Sequence, residues 1–167
     1  IWLVRKTIET TPSFFRRAGF GGAGVLLAVA GVWWAVIQTE NAKHSSIWRP
    51  YSRELLDEAI ASNQVVVVDF TANWCLICKS LESGVLHRPT VFKELSRPGV
   101  VPIKVDLSSL SDPGWQYLKD DLKQAGIPLL VIYGPGLDKP AMSNAYTSLW
   151  VLETMAKAAV TKQEAAR

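Results

Sequence analysis

The chain has 167 residues, 49% of them hydrophobic, with 18 Lys and Arg against 15 Asp and Glu. That length is a prior for one domain, and a mean hydropathy of +0.13 is high for a purely soluble one, the excess lying near the N-terminus. From Asn41 onward fourteen basic residues face thirteen acidic ones with no basic stripe among aromatics, which argues against nucleic acid as a partner, and two cysteines in one motif make no disulfide framework.

Residues 1–17 carry Arg5, Lys6, Arg16 and Arg17 and read as a cytoplasmic N-terminal segment. Ile1-Trp-Leu-Val is compatible with the last turn of an earlier apolar helix, and a first residue of Ile rather than Met with a fragment or a processed product. Ala18 to Thr39 holds no charge, and roughly 20 apolar residues cross a bilayer, so a transmembrane helix is expected over 18–39. Trp33 and Trp34 sit where interfacial aromatics belong, and Gly19, Gly21, Gly22, Gly24 and Gly31 are tolerable in a helix facing lipid or another helix. A cleaved signal peptide is the alternative, because Arg16-Arg17 precede the run and Ala28-Val-Ala30 has the small-x-small form of a cleavage site. The apolar run continues to Ile37, which favours an uncleaved anchor. Four basic residues precede the span, while Lys43, Arg49 and Arg53 follow it. The positive-inside rule then leans towards a cytoplasmic N-terminus and an exported remainder.

Residues 40–47 are a polar linker, and 48–167 form the folded domain. Ser52 is a good N-cap for a helix whose Leu55, Leu56, Ala59 and Ile60 share a face. Val65 to Phe70 is a β-branched run suited to a strand buried on both sides, ended by the polar turn Thr71 to Asn73. A helix from Cys75 to about Leu86 follows, with Leu81 and Val85 inward. His87-Arg-Pro-Thr breaks it before a short helix at Val91 to Leu95. Val100 to Val105 is a second strand. Asp112-Pro113 starts a helix to about Gln124, with Leu118 and Leu122 inward. Leu129 to Tyr133 is a third strand, Ala141 to Tyr146 a shorter fourth, and Ser148 opens a last helix expected to bury Leu149, Leu152, Met155, Ala156 and Ala159. The order is α-β-α-β-α-β-β-α. A right-handed crossover puts the first turn of the cysteine helix at the carboxyl end of the central strand.

Cys75 and Cys78 stand three residues apart at a helix start, where a small disulfide can close and the helix N-terminus stabilises a thiolate on Cys75. Cys75 fits an attacking thiol and Cys78, one turn in, a resolving one, with Trp74 beside them. Zinc would need two more ligands, and His44 and His87 are unsuitably spaced. Covalent haem would need His where Lys79 stands, and a loop this short gains little as a structural staple. Asp69 sits inside an apolar strand, where a carboxylate is costly unless it has a task.

At these residues the chain resembles the thioredoxin superfamily, whose signature is an apolar strand with one Asp, a short turn, Trp and Cys-x-x-Cys-Lys. It resembles more closely the C-terminal thioredoxin-like domain of the DsbD family of thiol:disulfide interchange proteins, or protein-disulfide reductases. Asp69-Phe-Thr-Ala-x-Trp-Cys-Leu-x-Cys-Lys79, the lead-in Trp48-x-Pro50-Tyr51-Ser52, Gly126-Ile-Pro128-Leu ahead of an apolar strand and the upstream hydrophobic segment carry the likeness. Asn73 departs from it, an acidic residue being frequent there, as does Ile77.

The resemblance implies an α/β thioredoxin fold, a central mixed sheet flanked by helices, after one transmembrane helix. It implies Cys75 and Cys78 as a redox-active disulfide with no other cofactor, Asp69 and Glu82 as residues tuning proton transfer, and Pro128 as a cis-proline facing the cysteines. Ile127 and Pro128 would then present a main-chain edge to an extended partner segment. It further implies reduction of disulfides in exported partners, as the terminal relay of a DsbD-like membrane electron-transfer domain, at the periplasmic side of a bacterial inner membrane. Two alternatives are a self-standing tethered thioredoxin serving cytochrome c maturation and a non-catalytic tethered binding module.

Overall fold

The computed structural model describes Trp2, residues 24–39 and residues 47–160. The chain divides into two units, Ile1–Lys43 and His44–Arg167. The expected cytoplasmic segment apart from Trp2, residues 18–23 of the expected span and all of the expected linker but Ile47 lie outside the described residues.

Within the first unit, helix α1 covers 24–39. It holds no charged residue and exposes Val25, Leu26, Leu27, Val29, Val32, Trp33, Trp34 and Val36. At 1.5 Å per residue it is about 24 Å long. Among the described residues no helix is long and apolar enough to cross a membrane.

The second unit is built on a five-stranded sheet of order β1-β3-β2-β4-β5. Its elements in chain order are β1 (Arg49–Pro50), α2 (Arg53–Ala61), β2 (Val65–Thr71), α3 (Leu76–Leu81) continued by a π-helical turn Glu82–Leu86, and α4 (Pro89–Leu95). Then come β3 (Val100–Asp106), α5 (Gly114–Gln116) continued by a second π-helical turn Tyr117–Asp121, β4 (Leu129–Tyr133), β5 (Ala141–Ser143) and α6 (Ser148–Ala159). Strands β1, β3 and β2 run parallel, β4 pairs antiparallel with β2, and β5 antiparallel with β4. This is the thioredoxin fold, a mixed sheet between helices.

Strand β2 is buried along its whole length, as a β-branched run at the centre of a two-sided sheet must be. Side chains alternate between faces. Val66, Val68 and Phe70 join Val101, Ile103, Val105, Leu129 and Val131 under α2, with Leu56, Ala59, Leu118 and Leu122. Val65 and Val67 turn the other way with Leu130 and Ile132, against Leu86, Val91, Leu95, Val151, Met155 and Ala158 of the helices opposite. Asp69 and Thr71 continue that second set by alternation, at the carboxyl end of the strand.

Several expectations are corrected. A short strand, β1, precedes the first helix, where the sequence offers only two residues of pairing. The helix expected from Asp112 to about Gln124 is three residues, Gly114–Gln116, and a π turn to Asp121, and it can go no further because Lys123 takes a left-handed φ of 55°. The last strand stops at Ser143, which leaves Tyr146 in a loop. Helix α6 buries Val151, Thr154, Met155 and Ala158, and Leu149 is exposed. Thr147 caps that helix, accepting from the Trp150 N–H, and the stripe Val151, Met155 and Ala158 packs into the core.

Candidate active site

The chain leaves β2 at Thr71 and reaches α3 through four residues. Cys75 is the N-cap of α3, extended in backbone, and its Sγ accepts a hydrogen bond at 3.2 Å from the Cys78 N–H. A helix start leaves its first N–H groups without partners, and here a sulfur takes the place that a Ser or Asp oxygen usually fills. One N–H and the positive end of the helix therefore favour a thiolate on Cys75 once the disulfide opens.

Cys75 and Cys78 are joined as a disulfide, Cα to Cα 5.3 Å. Cys75 is 8% exposed and Cys78 1%. Cys75, the expected attacking residue, is thus less open to solvent than its place at a helix start suggests, though it is the more accessible of the two. Around it Trp74, Leu76 and Ile77 are largely exposed, an apolar collar at the helix start. Asn73 N–H donates to Ser108 Oγ at 2.8 Å, which ties the 72–75 turn to the loop after β3. The Ile127–Pro128 peptide is cis. Leu129 pairs with Phe70, so Pro128, just before it, lies at the same end of the sheet as that turn. Its carbonyl accepts from Asn144 Nδ2 at 2.9 Å.

A polar cluster forms where the carboxyl end of β2 meets the helix that carries both cysteines. Cys78 and Glu82 are four residues apart on one helical face, and Asp69 and Thr71 two apart on one strand face. The Thr71 hydroxyl joins the two faces, donating to Glu82 Oε1 at 2.6 Å. Glu82 also receives Lys104 Nζ at Oε2, 3.1 Å, and Lys79 Nζ at Oε1, 3.4 Å. Lys104 is the cross-strand partner of Asp69 and lies over the Trp48 ring, 5.6 Å from its centroid. Asp69, 1% exposed, accepts one hydrogen bond at Oδ1 from the Tyr146 hydroxyl, 3.4 Å away. Its Oδ2 is buried without a hydrogen-bond partner among the described residues.

Two carboxylates in one cluster are driven apart in acidity. Burial, and then the charge of Glu82, push Asp69 up to about 7, against the pull of Lys104, Tyr146 and Lys79. Burial also opposes ionisation of Glu82, but the Thr71 hydroxyl and the Lys104 and Lys79 ammoniums outweigh it and hold that carboxylate below its usual range. Glu82 is therefore the fixed charge and Asp69 the group that exchanges a proton near neutrality. Among the described residues no group of three or more His, Cys, Asp or Glu is placed to hold a metal ion.

Thr71, Lys104 and Tyr146 are not among the site residues expected from the sequence. Lys104 has a signal there, a lone Lys inside the apolar strand Val-Val-Pro-Ile-Lys-Val. Thr71 reads only as turn, and Tyr146 carries no local signal.

The DsbD 1 thiol:disulfide interchange protein of Pseudomonas aeruginosa is 33% identical over 84 residues, 50% of this chain and 14% of that protein. The DsbD of Klebsiella pneumoniae subsp. pneumoniae is 31% identical over 96 residues, 56% of this chain and 16% of that one. The chain thus spans about a sixth or less of the length of these relatives. Among solved structures, chloroplastic thioredoxin z is 25% identical with a TM-score of 0.50, covering 72% of this chain and 96% of that one. A family model described as thioredoxin-like matches residues 47–135, from the lead-in to β1 through the cysteine pair and cis-Pro128 to the end of β4, and by that match the chain belongs to the thioredoxin-like family.

Proposed function

We propose that the domain reduces disulfides of exported partner proteins by dithiol-disulfide exchange, as the terminal relay of a DsbD-like electron pathway. The observation that carries this reading is Cys75 capping a helix beside Cys78, above two carboxylates of split acidity. A dithiol donor first reduces the Cys75–Cys78 bond. The Cys75 thiolate then attacks one sulfur of a partner disulfide, and the other partner sulfur leaves as a thiolate. Cys78 gives its proton to Asp69 and attacks Cys75 Sγ; the intramolecular disulfide re-forms and the partner departs with both electrons. The collar of Trp74, Leu76 and Ile77 and the edge at Ile127 and Pro128 receive the partner segment. Insulin is the test substrate. The full chain with excess dithiothreitol is expected to precipitate insulin B chain well above the rate of dithiothreitol alone, and a rate equal to that background would overturn the reading.

The second part of the proposal is an anchor at the periplasmic face of a bacterial inner membrane. It is supported by the uncharged run 18–39, whose described part is helical with its apolar side chains exposed. The full chain is expected to stay with membranes through alkaline carbonate washing, and a chain lacking residues 1–39 to wash off. A full chain recovered wholly in the wash, or a mature N-terminus at Gly31, would remove the anchor.

A further inference from the structure

We propose that Tyr146 is a positioning residue for the exchange reaction: by holding Asp69 Oδ1 it reserves Oδ2 as the oxygen that takes the proton of the resolving thiol. The inference rests on the thiol-disulfide reading above and adds a residue and an atom to it.

Tyr146 is 2% exposed and lies in the loop between β5 and α6, 77 residues from Asp69 in sequence. The loop is fixed on both sides of it. Before it, Asn144 Nδ2 donates to the Pro128 carbonyl at 2.9 Å, and Ala145 N–H donates to Ser143 Oγ at 3.3 Å. After it, Thr147 caps α6. One short segment therefore holds both the carbonyl of cis-Pro128 and, through Tyr146, the carboxylate of Asp69.

The groups around Asp69 divide the work. Glu82 on the π turn repels its charge, while Lys104 on β3 and Lys79 on α3 attract it. Both ammoniums are bound to Glu82. On β4 the cross-strand neighbour, Leu130, is apolar. Tyr146 is the one side chain that hydrogen-bonds Asp69 among the described contacts, and only at Oδ1. Burial, followed by the charges of Asp69 and Glu82, raises the phenol above its usual range, so it stays a proton donor at any working pH. A donor that cannot ionise can hold one oxygen but cannot take the thiol proton. In the resolving step the S–H bond of Cys78 breaks and an O–H bond forms at Asp69 Oδ2. The sulfur lone pair makes the Cys75–Cys78 bond, and the Cys75–partner bond breaks with its electron pair on the partner sulfur.

Tyr146→Phe removes the hydroxyl and keeps the ring. In the full chain with its disulfide intact, the Asp69 side-chain carbon, followed by NMR, is expected to titrate about one pH unit higher in this variant, a tenfold gain in proton affinity. In the unmodified chain the Tyr146 ring carbon that bears the oxygen should follow the Asp69 midpoint, and it should lose that inflection in Asp69→Asn. The pH profile of mixed-disulfide resolution should move with the Asp69 titration, whereas loss of packing alone would lower the melting temperature and leave the profile in place. An unmoved Asp69 midpoint in Tyr146→Phe overturns the proposal. If that variant does not fold, a Tyr146 carbon that ignores the Asp69 titration in the unmodified chain overturns it equally. Both NMR readings need no substrate, so a chain that fails to reduce insulin would count against the enzymatic reading and leave the Tyr146–Asp69 coupling to be judged separately.

Discussion

Cys78→Ser is expected to accumulate a covalent adduct with a disulfide substrate, and Cys75→Ser to form none, with insulin reduction falling to background in both. The asymmetry follows from where the sulfurs sit. Cys75 caps the helix, and its sulfur already receives an N–H. Cys78 is one turn further in and 1% exposed, without the unpaired N–H groups of the first turn to favour its thiolate. With Cys78 replaced, the first attack proceeds and the mixed disulfide has no internal thiol to release it. The adduct should run as a heavier band that collapses on reduction and should yield a cross-linked peptide containing Cys75. Equal trapping by the two variants, or a cross-link only through Cys78 in Cys75→Ser, would reverse the assigned roles.

What could be read from the sequence followed local rules. The run Val65 to Phe70 announces a strand buried on both faces because nothing polar interrupts it until Asp69, and Asp69 is conspicuous for the same reason. Cys75 at a helix start is legible because the strand-turn-helix order fixes where the helix begins. The remainder of the cluster depends on non-local geometry. Asp69 faces Lys104 through the register of two parallel strands joined by a crossover, and no tight turn writes that register into the sequence. Glu82 is marked in the sequence only by the family resemblance, its local pattern being that of an ordinary helix residue, yet the helix loosens to π geometry there and the side chain is buried against Thr71 and Lys104. Such turns recur at functional sites, and their position is set by packing more than by composition. Tyr146 is the extreme case. Its expected place at the end of a strand would give it a sheet partner, and its observed place in a loop gives it Asp69.

Asp69→Asn tests the role proposed for that carboxylate, because the amide keeps its shape and loses both the charge and the proton. Resolution of mixed disulfides is expected to slow by about 10²-fold, the lower end of what a positioned base contributes. Removing a negative charge from beneath the cysteines also lowers the pH at which the reduced pair ionises, so alkylation of Cys75 should begin at lower pH even as turnover falls. An unchanged alkylation profile would take Asp69 out of the mechanism. Stability should move the opposite way from activity. With Asp69 raised to about 7 in the fold and near 3.8 when unfolded, the native state binds more protons between those values. Its stability therefore declines as pH rises from about 4 to 7 and is flat above, a loss on the order of 4 kcal/mol at a fully buried site. Asn cannot ionise, so the variant with its disulfide intact is expected to lack that decline and to melt higher than the unmodified chain at pH 8, with the difference closing towards pH 4. Parallel melting curves across that range would show that Asp69 carries no buried charge at neutral pH. A stability gain at pH 8 alongside a loss of turnover would mark a charge kept in the core for the proton it can accept.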